Sequence, residues 1–119
     1  MIDKDVLNAA GIDYSEGLER FSGDAEFYEM VLRAFVRADI AERSRAAFDA
    51  DDREALLSAA HEAKGSGGNA GLKRIYAQAS ALVKLLRSGD YTEEELTESF
   101  LQFEKAYLST QTAIKASLK

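Results

Sequence analysis

The apolar positions along the chain recur at helical spacing almost throughout. Three glycines, Gly11, Gly17 and Gly23, cut the first residues into short pieces and predict helices of one or two turns near residues 3–10 and 15–21. Ser22 or Asp24 then offers an N-cap for a long helix. Its apolar residues Phe27, Met30, Val31, Ala34, Phe35 and Ala38 follow the i, i+3, i+4, i+7 template. A second long helix is expected from Asp51, with Glu54 as its capping-box partner and Leu56, Ala59, Ala60 and Ala63 as its inner stripe. Gly71 marks its end. The next stripe is Leu72, Ile75, Tyr76, Ala79, Leu82, Val83 and Leu86, closed by Ser88-Gly89-Asp90. Thr92 with Glu95 forms another capping box ahead of Leu96, Phe100, Phe103, Tyr107, Ile114 and Leu118. No segment alternates with period two. The expectation is an all-α fold: one domain over residues 1–119, with short helices in 1–22 and an antiparallel four-helix bundle in 23–118.

Composition sharpens this picture in two places. The chain has no proline, the strongest helix breaker, and no cysteine, so disulfides and thiolate metal sites are excluded. A net charge of −6 argues against nucleic acid as a partner, because phosphate backbones require a basic footprint. The segment MIDKDVLNAAG lacks the basic and apolar regions of a signal peptide, and no apolar run reaches membrane-spanning length. A cytoplasmic protein with no membrane contact is expected.

The candidate chemistry sits in residues 60–71, AHEAKGSGGNAG, which hold the only histidine. GSGGNA formally satisfies G-x-G-x-x-[GA], but that fingerprint cradles phosphate only between a strand and a helix, and the residues before it follow a helical stripe. A Walker loop would need its lysine after the glycines, whereas Lys64 precedes them. Read as helix, with Leu56 at zero, Ala59, Ala60, Ala63, Gly67 and Ala70 fall within about 60° of the core direction. His61 then lies about 140° away, pointing outward, with Lys64 and Gly65 at i+3 and i+4 flanking its ring. Three glycines inside a helix cost on the order of 3 kcal/mol relative to alanine. Gly67 faces inward, where it allows close helix packing. Gly65 and Gly68 share the outer face with His61, and their missing side chains would let another protein approach the imidazole. A neutral imidazole is a nucleophile toward phosphorus, and a phosphoryl group placed on it would gain the attraction of the Lys64 ammonium.

These residues resemble the motif of histidine-containing phosphotransfer (HPt) domains, roughly His-x-Leu-Lys-Gly-Ser-Ser/Ala followed by a glycine ten residues after the histidine. His61, Lys64, Gly65, Ser66, Asn69 and Gly71 match it. The segments GIDYSEGLERFSGDAEFYEMVLRAF, DDREALLSAAHEAKGS and ALVKLLRSGD are similar to the family in their surroundings. The resemblance implies a four-helix bundle whose exposed His61 accepts a phosphoryl group from the phospho-aspartate of a response-regulator receiver domain and passes it to another receiver aspartate. It implies a phosphohistidine carrier with no ATP site, no autonomous kinase activity and no cofactor of its own, Mg²⁺ being supplied on the partner receiver. A hybrid histidine kinase is a further expected partner, and the chain is expected to be a monomer. Lys64 would stabilise the phosphoryl charge, Gly65 would leave room for docking, and Arg87 falls where some relatives carry a second basic residue. Ser66, Asn69 and Gly71 complete the motif and its turn.

Three positions depart from the pattern. Ala63 replaces the usual leucine, Gly67 and Gly68 replace serine or alanine, and Val83 stands where several relatives hydrogen-bond the imidazole with Glu or Gln. A non-catalytic bundle that binds a receiver or kinase without transfer is the alternative reading, supported by Val83 and the extra glycines. An H-E dipeptide also opens the phosphoacceptor box of sensor kinases, but the proline and the ATP-binding domain of that class are missing from this sequence. One histidine without clustered carboxylates gives too few ligands for a metal. The opening Met1 and the bundle-sized length favour a free-standing shuttle over an excised domain.

Overall fold

Acidic and hydroxyl side chains hold the first free amides of most helices, and they set where the elements begin. The computed structural model describes residues 2–118, so Met1 and Lys119, the ends of the expected domain, lie outside the described residues. Within them the chain forms α1 (Lys4–Ala9), α2 (Tyr14–Arg20), α3 (Ala25–Arg37), α4 (Ile40–Asp49), α5 (Arg53–Asn69), α6 (Lys73–Ser88) and α7 (Glu93–Ser117), with no strand beyond one isolated bridge between Ile2 and Leu118. Asp3, Asp13, Asp24, Asp52 and Thr92 each accept hydrogen bonds from amides of the helix they open. Thr92 and Glu95 form the reciprocal capping box that the sequence predicts. Gly71 and Gly89, at φ +74° and +64°, end α5 and α6 in the left-handed conformation that glycine adopts without strain.

The molecule is an all-α antiparallel bundle. α4 through α7 surround one core, joined by turns of three or four residues between Asp49 and Glu93. Phe48 of α4 stacks on Phe100 of α7 with centroids 4.3 Å apart, and Arg45 lies over Phe100 while donating to Glu104 at 2.6 and 2.9 Å. Phe35 of α3 meets Tyr107 of α7 at 4.9 Å, so the α3–α4 arm runs antiparallel to α7. α1 packs against the far end of α7, where the Asp3 amide donates to Ser117 O at 2.8 Å.

Three expectations are corrected. The long helix after Asp24 is two helices, because the chain turns extended at Ala38 (ψ 145°). No proline or glycine causes this break. Gln111 of α7 donates to the carbonyls of Phe35 and Val36 at 3.2 and 3.4 Å, satisfying the acceptors that α3 exposes at its end. The apolar stripe of α3 is also out of phase with its buried face. Tyr28, Leu32 and Phe35 are buried, Val31 is half-buried, and Phe27 and Met30 are 50% and 65% exposed. This helix is apolar on most sides, so periodicity alone does not decide which side meets α2 and α7. The next helix starts one residue late: Asp51 takes φ +56°, and Asp52 accepts from the Ala55 amide at 3.0 Å. Glu54 therefore has no capping-box role.

Candidate functional site

α5 carries the candidate residues, and its two faces differ sharply. Leu56, Ala59, Ala60, Ala63 and Gly67 are buried, while His61 and Gly65 are exposed and Lys64, Ser66 and Gly68 half-buried. This is the 3.6-residue pattern of a helix with one face against a core. The small residues on the inner face let α6 approach closely. A Cβ at Gly67 would stand 3.0 Å from Ile75 Cγ2, tighter than ordinary contact. Ala63 is fully buried where a leucine is usual in the resembled motif.

Beside His61 the surface opens into a pocket of about 560 Å³. Its walls come from the outer face of α5, the first turn of α6 and α2. Lys64, Gly65, Gly68, Asn69 and Gly71, all singled out by the sequence, line it together with His61. Ser66 does not. Its hydroxyl donates back to the Glu62 carbonyl at 3.0 Å, a local bond along the helix. Arg87 is exposed in the last turn of α6, about 16 Å along the helix from Tyr76, which lines the pocket in the first turn. The pocket therefore lacks Arg87. Val83 is buried among the core residues.

The glycines separate into different roles. At Gly65 an added Cβ would meet nothing within 4 Å. At Gly68 it would meet the Tyr76 ring at 3.0 and 3.2 Å. Gly68, expected to lack a side chain so that another protein can approach, thus has a reason inside the domain: the half-exposed Tyr76 ring occupies the space that a side chain would need. Among the described residues the His61 side chain has no hydrogen bond, and Lys64 has no ion pair. The acid beside them, Glu62, is taken by Arg43 at 2.7 Å.

The pocket also holds charges that sequence reasoning missed. Arg20 of α2 and Lys73 of α6 line it, and both donate to Glu16, at 3.3 and 2.9 Å. The Lys73 ammonium, and after it Arg20, holds the Glu16 carboxyl below its ordinary range. An Arg20–Glu16 pair at i, i+4 is visible in the sequence. Its position on the wall of the pocket that His61 lines is not, because it depends on two glycines far apart in the chain. A Cβ at Gly71 would stand 3.2 Å from the Gly17 Cα, and one at Gly17 would overlap the Tyr28 hydroxyl. That hydroxyl is buried and donates to the Ala70 carbonyl at 2.7 Å, at the end of α5. Burial pushes the Tyr28 phenol up to about 12. No group of three or more histidines, cysteines and carboxylates gathers in metal-binding geometry among the described residues, and no described helix is long and apolar enough to cross a membrane.

The family model of the Hpt domain matches residues 31–117. Neither a curated protein nor a solved structure matches the chain.

Proposed function

The chain belongs to the Hpt domain family, and from that premise we propose the route of the phosphoryl group: from a receiver phospho-aspartate to His61, and from His61 to the aspartate of another receiver. Histidine phosphotransfer in a phosphorelay is the general role of the family, performed by a carrier that interacts with receivers and is not a kinase. The observation that supports His61 most is its setting on the outer face of α5, its side chain free of internal hydrogen bonds, one turn from an unpaired Lys64 and the open Gly65. A ring nitrogen attacks phosphorus, the P–O bond to the aspartate breaks, and the carboxylate leaves while the imidazole gives up its ring proton. The new charge beside Lys64 creates an attraction that the free histidine lacks. Mg²⁺ and the remaining catalytic groups belong to the receiver in this reading.

Incubation with phosphorylated receivers should yield an acid-labile, alkali-stable phosphate on the protein, absent from His61→Gln. If no receiver of the source organism loads it, transfer fails as a function. Retained binding of a receiver would then leave the non-catalytic module, which the buried Val83 favours because no neighbouring side chain fixes the imidazole.

A further inference from the structure

Arg20 lies outside the residues matched by the family model, yet it lines the His61 pocket. Its placement is built into the fold. The Gly17–Gly71 backbone approach and the Tyr28–Ala70 hydrogen bond fix α2 against the end of α5, and α6 brings Lys73 to the same wall. Both cations meet one carboxylate, Glu16, which also lines the pocket, and Lys73 lies in addition 3.8 Å from Asp13, which does not line it. All three side chains are substantially exposed, at 49% for Arg20, 58% for Lys73 and 39% for Glu16, so these ion pairs are weak and exchangeable. A phosphoryl group carries more charge and more acceptor oxygens than one carboxylate.

We infer that Arg20 and Lys73 are positioning residues that collect the incoming phosphoryl anion in the pocket they share with His61, and that Glu16 holds them in place until it arrives. This rests on the reading of His61 as acceptor. Lys64, one turn from His61 on the same helix, contributes charge in every state. Arg20 and Lys73 contribute when the anion displaces Glu16. The N-terminal helices are then part of the site, though a chain whose net charge is −6 gives no hint of a local cationic wall.

Chemical loading tests this without a receiver. Phosphoramidate transfers its phosphoryl group to imidazole: the ring nitrogen bonds to phosphorus, the P–N bond of the reagent breaks, and ammonia leaves while the ring proton passes to solvent. With the full chain, loading should slow by about three- to tenfold in Arg20→Ala/Lys73→Ala, the scale on which one or two partly exposed charges act on an anion. Arg20→Lys should restore most of the loss seen in Arg20→Ala. Glu16→Gln should instead load faster than wild type, since it removes the competing carboxylate. A merely structural cluster predicts the opposite for Glu16→Gln, which breaks both ion pairs and would slow loading as the cation variants do. Unchanged rates, or Glu16→Gln and the cation variants shifting in the same direction, overturn the inference, as does equal labelling of wild type and His61→Gln. If chemical loading follows the expected order while receivers fail to load the protein, receiver transfer falls and the cationic wall stands.

Discussion

At the scale of single residues, three glycines in α5 carry the same local cost for different reasons. Each loses about 1 kcal/mol of helix propensity relative to alanine. Gly67 offsets it by letting Ile75 close against α5, and Gly68 makes room for the Tyr76 ring. Gly65 has no such partner, since nothing lies within 4 Å of the Cβ it lacks. Its cost is therefore not repaid inside the domain. Gly65→Ala should raise stability by about 0.5–1 kcal/mol in a denaturant titration, because an exposed helical site accepts the methyl group without strain. Gly65→Leu should keep the fold by circular dichroism yet lose phosphate transfer from a receiver. Normal transfer in Gly65→Leu would show that the open space beside His61 does not serve docking.

At the scale of elements, the parts legible in sequence are those set by neighbours along the chain. The capping box at Thr92, the glycine ends of α5 and α6, and the buried face of α5 all follow from local chemistry, and the structure has them. The failures are tertiary. Gln111 ends α3 from 73 to 76 positions away, and no residue near Ala38 announces it. The mostly apolar circumference of α3 leaves its phase to whatever covers it. α2 is the sharpest case. From sequence, Gly17 falls within the short helix predicted over residues 15–21, which α2 bears out, but nothing local announces that it packs against the Tyr28 ring and the Gly71 backbone. Gly17→Ala would force the buried Tyr28 hydroxyl away from Ala70, and overpacking of this kind costs about 1–3 kcal/mol. The expected signature is a lower melting temperature together with faster amide exchange in α2 and at the end of α5. An unchanged melt with protected α2 amides would mean that the α2–α5 contact is not what seats this helix.

At the scale of the whole molecule, one core draws buried residues from all seven described helices, and the Asp3–Ser117 bond ties its two ends together. Two phenols are sealed inside it, Tyr28 near the pocket and Tyr107 under the α3–α4 arm. Burial raises both above the ordinary tyrosine value, and nearby acids add to the effect. The folded state thus keeps the Tyr28 proton up to about 12, while an unfolded chain releases it near 10. Below pH 10 both states are protonated and the stabilising difference is fully present. As pH rises from 10 to about 12 the unfolded state binds fewer protons than the folded one, so stability falls. The slope reaches about 1.4 kcal/mol per pH unit for each such group. Ionised Tyr28 would also lose its donation to Ala70 and bring negative charge to the joint that seats α2. Tyr28→Phe separates this phenol from the other alkaline titrations. It should be less stable than wild type by about 1 kcal/mol at neutral pH, for want of the hydrogen bond to Ala70. Above pH 10 its stability should decline less steeply, so the gap of about 1 kcal/mol closes and the two stability curves cross at about pH 11, with the variant the more stable as pH approaches 12. Parallel decline across that window would show that the Tyr28 proton is not what couples the joint beside the pocket to the stability of the bundle.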